Sequence, residues 1–133
     1  MTNNIHEECG VFGIYSDRTA NVAGTVYLGL YALQHRGQEA CGIAVCDDGV
    51  FSSKKGEGLV SEVFDENTIK SLGEGNIAVG HVRYSTTGGG GLNNIQPLTI
   101  RHIKGNLALA HNGNLVNAEE LRRGFELSGA IFH

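Results

Sequence analysis

The chain has 133 residues, the size of one ordinary domain, and 41% of them are hydrophobic against 18% charged. This balance excludes a disordered or fibrous chain, and the length allows a hydrophobic core without disulfide or metal support. The net charge of -4 at pH 7 disfavours non-specific binding to nucleic acid or to anionic membrane, so we expect a small molecule or a protein as the partner.

The chain begins with residues 1–8, a polar and acidic segment that lacks the apolar stretch of a signal peptide. No apolar run in the sequence approaches the length of a membrane span. The three cysteines lack the paired spacing of a zinc site, and their odd number fits free thiols in a reducing compartment. We therefore expect a cytoplasmic location and one reactive thiol.

A strand and a helix are predicted after this leader. Residues 9–15 (CGVFGIY) have the pattern of a short buried strand. Between residues 22 and 35 the apolar side chains recur at spacings of three and four, which predicts an amphipathic helix. Gly37 follows at the position where a left-handed residue commonly ends a helix.

The middle of the chain predicts a hairpin and a further strand. Residues 41–46 and 49–54 flank Asp47-Asp48, and this Asp-Asp-Gly composition is typical of a β-turn. Residues 59–72 are weakly helical. Residues 76–82 form a third apolar segment, which we interpret as a strand.

A second hairpin and a second helix complete the prediction. Residues 98–103 and 106–110 flank Lys104-Gly105, and residues 117–127 predict a helix capped by Asn117, with Glu120 three residues on. Residues 88–91, four glycines, lie between predicted strands and are expected to form a mobile loop rather than a domain linker. Strands and helices mix without regular βαβ alternation, which favours an antiparallel α+β fold.

Cys9 stands with Gly10 at the head of the first predicted strand. The simplest interpretation is a buried structural thiol. The alternative depends on its place near the start of the chain, because removal of a short leader would make Cys9 the first residue. Its freed α-amino group, with a reference pKa of about 8, can then act as general base for its own thiol. One residue would supply both nucleophile and base.

Arg83 lies where a predicted strand enters a loop, within the segment HVRYST (residues 81–86). It can be a surface arginine whose aliphatic stem is partly covered. It can also be a binding residue, because a guanidinium at a strand end can bind a carboxylate through two hydrogen bonds. The sequence leaves both interpretations open.

Asn112-Gly113 follows the last predicted strand, and Asn-Gly at such a place is usually a turn. The functional alternative is an oxyanion hole, in which the backbone N–H of Gly113 and the side-chain N–H of Asn112 point at charge developing on a carbonyl oxygen. In the segment QHRGQ (residues 34–38), Arg36 can likewise be either a polar helix exit or part of a site. The six histidines have no ligand spacing, so we expect no metal site.

Four segments together resemble the glutamine phosphoribosylpyrophosphate amidotransferases, which are class II glutamine amidotransferases. In chain order they are CGVFGI (residues 9–14), QHRGQ (34–38), HVRYST (81–86) and HNGNL (111–115). The resemblance extends over residues 7–127. The QHRGQ form is similar to this family rather than to the glucosamine-6-phosphate synthases, in which a Tyr-Arg-Gly sequence is usual.

The resemblance implies an α+β fold of the N-terminal nucleophile (Ntn) hydrolase type. This fold is a four-layer αββα sandwich with antiparallel sheets, which we expect to be incomplete at the C-terminal end. Residues 1–8 would be a propeptide, cleaved autocatalytically before Cys9 as in the iron–sulfur-containing branch of the family. Residues 9–133 would be the amino-terminal part of the amidotransferase domain.

The resemblance also implies roles for eight residues, in three groups. They are Cys9 as nucleophile with Asn112 and Gly113 as oxyanion donors, Arg83 as the ligand of the glutamine α-carboxylate with Thr86 and His81 nearby, and Arg36 and Gly37 as the wall beside Cys9.

The implied reaction is attack of the Cys9 thiol on the glutamine amide, loss of ammonia and hydrolysis of the thioester. In the full transferase, ammonia would displace pyrophosphate from phosphoribosylpyrophosphate at a second domain and give phosphoribosylamine for purine biosynthesis. The implied partners are glutamine, phosphoribosylpyrophosphate and further copies of the chain in a homo-oligomer, and neither nucleic acid nor membrane. No cofactor is expected here, because the Mg²⁺ and iron–sulfur cluster of the family would be bound outside this segment, so Cys41 and Cys46 are not assigned to the cluster.

One element of the family pattern is expected beyond residue 133. It is an acidic motif, Thr/Ser-Asp-Ser/Thr-Glu, whose Asp holds the α-amino group of glutamine. We therefore expect the 133-residue chain alone to be a poor glutaminase, because a misplacement of about 1 Å can cost roughly a hundredfold in rate. Two alternatives stay open: a catalytically silent glutamine-binding or regulatory module, and a glutaminase domain that serves another acceptor such as a sugar phosphate.

Overall fold

The structure is a computed structural model that describes residues 9–84, 91–113 and 115–132. Its elements alternate between strands and helices without a regular repeat. In chain order they are β1 (Gly10–Ala20), α1 (Val22–Leu33), a 3₁₀ turn (Gln34–Arg36), β2 (Ala40–Asp47), β3 (Val50–Glu57), α2 (Val60–Val63), α3 (Glu66–Leu72), β4 (Gly75–Arg83), a second 3₁₀ turn (Leu92–Asn94), β5 (Leu98–His102), β6 (Gly105–Leu109) and α4 (Ala118–Leu127).

The described strands form two antiparallel sheets. The first has the order β1-β4-β2-β3, and β5 and β6 form the second. In the first sheet, Gly10 pairs with Val82 and Ala40 pairs with Arg83, so the beginnings of β1 and β2 lie beside the end of β4. The predicted antiparallel α+β class is therefore confirmed, and the sheet brings three distant parts of the sequence to one edge.

Helix α1 covers one face of the first sheet, as its periodicity predicts. Val22, Val26 and Leu30 are at most 1% exposed and belong to one hydrophobic cluster. The sheet contributes alternate residues to this cluster, namely Cys41, Ile43 and Val45 of β2 with Ala78 and Val82 of β4. Burial of these apolar side chains is the main stabilising term of the fold.

The prediction of a short buried strand over residues 9–15 is wrong in length and in burial. Strand β1 extends to Ala20 and forms an edge of the sheet. Because only one of its faces packs against α1, alternate side chains point to solvent, and Val11 and Tyr15 are 39% and 71% exposed. The apolar pattern identified the strand but did not show that it lies at an edge.

The role predicted for Gly37 is also wrong. Helix α1 ends at Leu33 and continues as the 3₁₀ turn, and Gly37 has an extended conformation with φ of -160° rather than the left-handed one. What requires glycine is close approach: a Cβ at Gly37 would lie 2.7 Å from the backbone nitrogen of Arg83. Gly37 therefore allows the chain to pass directly against the end of β4.

Both predicted hairpins are confirmed. Strands β2 and β3 are joined at Asp48 and Gly49, whose φ values of 47° and 85° match the positive φ that tight hairpin turns require. Strands β5 and β6 pair over five positions, and Gly105 has a φ of 131°. The weakly helical segment 59–72 contains the two short helices α2 and α3.

Helix α4 is confirmed, but its predicted cap is not made. Asn117 occupies the N-cap position without a side-chain hydrogen bond to the helix. All ten residues of α4 are exposed. The glycine loop predicted over residues 88–91 falls, apart from Gly91, outside the described residues. Among the described residues, no helix is long and apolar enough to cross a membrane.

Two helical glycines provide a matched test of the packing between α1 and β1. A Cβ at Gly29 would lie 2.5 Å from the ring of Phe12, whereas a Cβ at Gly124 in α4 would meet nothing within 4 Å. Gly29→Ala should therefore lower the free energy of unfolding by about 1 to 3 kcal/mol through overpacking. Gly124→Ala should raise it by up to about 1 kcal/mol through helix propensity. Urea denaturation followed by circular dichroism measures both, and equal stabilisation by the two substitutions would contradict the packing described.

Candidate active site

The candidate site lies at the sheet edge where β1 and β2 begin and β4 ends. Cys9 immediately precedes β1, Gly37 lies shortly before β2, and Arg83 is the last residue of β4. The backbone N–H of Glu39 donates to the carbonyl of Arg83 at 3.1 Å, which continues the pairing of β2 and β4 to this edge. The sheet thus gathers three of the four segments that the sequence singled out.

The backbone of Cys9 is held on both sides by Arg36. The N–H of Cys9 donates to the carbonyl of Arg36 at 2.9 Å, and Nε–H of Arg36 donates to the carbonyl of Cys9 at 2.8 Å. The side chain of Asn112 donates a third bond, from Nδ2 to the same Cys9 carbonyl at 3.3 Å. Cys9 adopts a φ of 66°, unusual for a residue with a side chain, and these bonds hold it there.

The thiol of Cys9 is half-buried and faces the backbone of Tyr84. The Tyr84 N–H donates to Sγ at 3.4 Å, and Sγ lies 3.6 Å from the Tyr84 carbonyl. The sulfur thus has one backbone donor and one backbone acceptor on the same residue, which fix its position at the end of β4. The sequence motif contained Tyr84, but nothing in it indicated that its backbone would contact the thiol.

His81 is a core residue of the region between the two sheets. It is fully buried, and its Nε2 lies 3.1 Å from the carbonyl of His111. A carbonyl can only accept, so Nε2 carries the proton, and Nδ1 has no hydrogen-bond partner among the described residues. Burial lowers the pKa of His81 to about 4. The hydrogen bond to His111 raises this pKa, whereas the charges of His111 and Arg83 lower it. The imidazole is therefore neutral at pH 7.

Asn112 and Gly113 are exposed and follow β6 after two intervening residues. Gly113 has a φ of 149°, which favours glycine. The preceding residue is anchored, because the backbone N–H of His111 donates to Oε1 of Gln96 at 2.6 Å. Gln96 was missed by the sequence analysis, and no local pattern marks it, since its contact is with a residue fifteen positions away.

Arg83 is half-buried and lies two positions from His81 on β4, hence on the same face of the sheet. Its side chain is placed at the edge that carries Cys9. Thr86, the other predicted contact of the substrate, lies outside the described residues. The structure thus brings together seven of the eight predicted site residues around the end of β4.

A cleft of about 490 Å³ lies between the two sheets but does not include Cys9. It is mostly apolar, and residues 44–46 and 77–79 line one side while residues 105–108 line the other. These positions lie away from the Cys9 edge, so this cleft and the candidate site are separate.

Within residues 9–84, 91–113 and 115–132, no group of three or more His, Cys, Asp or Glu side chains could hold a metal ion.

Residues 35–128 match the family described as glutamine amidotransferases class-II. The chain is 53% identical over 124 residues to the amidophosphoribosyltransferase of Methanocaldococcus jannaschii, covering 93% of this chain and 26% of that protein. It is 50% identical over 129 residues to the enzyme of the same name from Bacillus subtilis, covering 96% and 26%. The chain thus spans about a quarter of the length of these relatives.

Two solved structures share the fold. One, described as the allosteric regulatory enzyme of purine biosynthesis, is 48% identical with a TM-score of 0.84 and covers 92% of this chain and 26% of its own. The other is the glutamine phosphoribosylpyrophosphate amidotransferase of B. subtilis complexed with ADP and GMP, 43% identical with a TM-score of 0.76, covering 94% and 26%. These likenesses confirm the family resemblance of the four segments and the fold class that they implied.

The buried imidazole makes stability depend on pH. The pKa of His81 falls from 6.5 to about 4 on folding, so between these values the unfolded chain binds the proton and the folded chain does not. The free energy of unfolding should therefore decrease as pH falls from 6.5 to 4, by up to about 3 kcal/mol at 1.36 kcal/mol per pKa unit. Urea midpoints across this range measure it.

His81→Gln should flatten this dependence, because glutamine does not titrate. The matched control is His102→Gln, at an exposed position of β5, which should leave the wild-type slope unchanged. The same slope in all three proteins would show that His81 does not carry the effect.

Proposed function

The chain belongs to the class-II glutamine amidotransferases, and from this premise we propose that it is the glutaminase part of an amidophosphoribosyltransferase, with Cys9 as nucleophile. The observation that carries the proposal is the fixing of Cys9 at the sheet edge. Its N–H donates to Arg36, and its carbonyl accepts from Arg36 and Asn112. Its sulfur accepts from the N–H of Tyr84. A structural thiol needs none of these contacts, whereas a nucleophile needs all of its atoms in fixed positions.

The first step uses the amino group of Cys9 once residues 1–8 are removed. The free amine accepts the thiol proton as Sγ attacks the side-chain carbonyl carbon of glutamine. The Arg36 carbonyl, 2.9 Å from the nitrogen of Cys9, holds one N–H and so leaves the lone pair free to turn towards sulfur. The Tyr84 N–H stabilises the negative charge that the sulfur acquires.

The second step is the collapse of the tetrahedral intermediate. The carbon–nitrogen bond breaks, the departing nitrogen takes the proton from the ammonium group of Cys9, and ammonia leaves a γ-glutamyl thioester. Water then adds to the thioester and releases glutamate and the thiol.

We assign Asn112 and Gly113 as donors to the oxyanion during both formation and hydrolysis of the thioester. One such donor contributes about 10²- to 10³-fold to kcat. Nδ2 of Asn112 already points at the Cys9 backbone, 3.3 Å from its carbonyl oxygen.

We assign binding of the glutamine α-carboxylate to Arg83, and Thr86 stays a second proposed contact. The position of Arg83 at the end of β4, next to the nucleophile, supports this role because a guanidinium binds a carboxylate through two parallel hydrogen bonds. Arg36 and Gly37 form the wall beside Cys9, and Gly37 does so by packing on the backbone of Arg83. His81 is fully buried, so its contribution passes through His111 rather than through contact with glutamine.

The acceptor reaction follows from the names of the relatives and is part of the proposal. Amidophosphoribosyltransferases more than 40% identical to the chain, and a solved phosphoribosylpyrophosphate amidotransferase, support phosphoribosylpyrophosphate as the compound that receives the ammonia. That step would take place in a further domain of the polypeptide.

The three described cysteines are free thiols, which supports a location in the reducing cytoplasm.

Replacing Cys9 by Ala should abolish glutamine-dependent product formation and leave ammonia-dependent synthesis largely intact in the full-length protein. Only the nucleophile is removed, and the acceptor chemistry is separate from it. The control is Cys46→Ala, because Cys46 is also a free, half-buried thiol but lies in β2 near the hairpin turn. The assay compares product formed with glutamine and with ammonium salts. Glutamine-dependent turnover that survived Cys9→Ala would refute the proposed nucleophile.

Residues 1–8 should block glutaminase activity for as long as they stay attached to Cys9. While Glu8 is joined to Cys9, the nitrogen of Cys9 is an amide without a basic lone pair, so the thiol has no base. Protein with an intact Glu8–Cys9 bond should be inactive as a glutaminase, and activity should rise with the fraction of chains that mass spectrometry shows to begin at Cys9. A leader that stays intact after long incubation would instead favour the silent binding module. Equal activity of the intact and cleaved forms would point to a different base.

A further inference from the structure

Both polar groups of the His111 main chain are held by side chains from other parts of the fold. Nε2–H of His81 donates to its carbonyl at 3.1 Å, and its N–H donates to Oε1 of Gln96 at 2.6 Å. The two side chains come from β4 and from the segment that follows the second 3₁₀ turn. We call this pair of side chains the His111 clamp.

The first arm of the clamp is immobile. His81 is fully buried near the end of β4, and in the sheet it lies between Val11 of β1 and Gly42 of β2. Backbone pairing on both sides fixes the Cα of His81, and close packing fixes its ring. The position of Nε2 is therefore set by the same strands that set the position of Cys9.

The second arm is anchored to the same sheet. The carbonyl of Gln96 lies directly against Gly42, where any Cβ would collide with it. The adjacent Ile95 is fully buried, and its carbonyl accepts a hydrogen bond from Nζ of Lys55 in β3 at 3.1 Å. The segment that carries Gln96 is thus fastened to β2 and β3.

Without the clamp, little in the described structure would locate the loop after β6. His111, Asn112 and Gly113 are all exposed, so apolar burial does not hold them. The only side-chain bond of Asn112 in the described residues is the one to Cys9, at 3.3 Å. Since successive Cα atoms are held about 3.8 Å apart, a shift of the His111 peptide moves Asn112 directly.

We propose that His81 and Gln96 are positioning residues for glutamine hydrolysis, which fix the peptide of His111 and thereby aim the donors of Asn112 and Gly113 at the oxyanion. The inference rests on the proposed function and assigns it two residues that do not touch the substrate. Burial keeps the His81 imidazole neutral, so at pH 7 Nε2 is a donor in an uncharged ring and no net charge is placed between the sheets.

The test measures steady-state glutaminase kinetics of the full-length mature protein at pH 7. Rates are divided by the amount of Cys9 that iodoacetamide alkylates, so that inactive molecules do not count. Gln96→Met and His81→Met keep the side-chain size but remove one bond each. Because oxyanion contacts form in the transition state, each should lower kcat about 10- to 100-fold with KM changed less than about threefold. The matched control, His102→Met, is exposed on β5 and should keep wild-type kinetics.

Conservative variants separate positioning from simple packing. Gln96→Glu retains an acceptor for the His111 N–H, and His81→Gln can place an amide N–H near the position of Nε2. Both should recover most of the kcat that the Met variants lose. If neither Gln96→Glu nor His81→Gln had a higher kcat than the Met variant at the same position, side-chain size rather than the two hydrogen bonds would matter. That result would overturn the proposal.

A double-variant cycle tests whether the clamp acts through Asn112. Asn112→Ala alone should lower kcat by about 10²- to 10³-fold. Gln96→Met added to Asn112→Ala should lower it by clearly less than Gln96→Met does in the wild-type protein, because the donor it aims is already gone. Fully additive losses would overturn the proposal.

One measurement needs no variant. The amide hydrogen of His111 should exchange more slowly than those of Asn112 and Gly113 in the wild-type protein, because all three residues are exposed and only His111 donates to Gln96. Rapid exchange at His111 would overturn the clamp even if the Met variants failed to fold.

Failure of the proposed function and failure of the clamp give different results. A wild-type protein without Cys9-dependent glutaminase activity would refute the proposed function and the catalytic role of the clamp. An active protein with unchanged kcat in the Met variants would refute the clamp alone.

Discussion

The double pairing of β4 is the constraint on which the rest of the site depends. Because β4 is hydrogen-bonded to β1 on one side and to β2 on the other, its last residues fix where both neighbours begin. Cys9, Gly37 and Arg83 are far apart in sequence, yet strand pairing brings them together at this edge. Backbone pairing of this kind is rigid, and catalytic groups placed on rigid elements keep their geometry better than groups on free loops.

Within this frame Cys9, the proposed nucleophile, is positioned through its main chain. Arg36 engages Cys9 with both its own carbonyl and its side chain, while Tyr84 contributes only backbone atoms. These contacts fix the backbone of Cys9, which suits the proposal that its amine and thiol react together. In the uncleaved chain, the left-handed φ at Cys9 is maintained by the hydrogen bonds around it.

The proposed oxyanion donors present the opposite problem, because Asn112 and Gly113 lie on an exposed loop after the smaller sheet. Long-range hydrogen bonds take the place of burial there. His81 links β4 to this loop, and Gln96 links it to the segment lying over β2 and β3. A neutral, buried imidazole is suited to this task since it donates one well-directed hydrogen bond without the large desolvation cost of a buried charge.

The sequence by itself determined whatever rests on local periodicity and on contiguous motifs. It predicted α1, both hairpins, the α+β class and the four segments of the family, because turn residues and apolar spacing act over a few positions. Tertiary structure alone decided that β1 is a long edge strand, that Gly37 is needed for contact with Arg83 rather than to end a helix, and that His81 and Gln96 converge on His111. Each of these features depends on which segments become neighbours in the sheets, and that is settled by long-range strand pairing and burial, which single-sequence patterns do not encode.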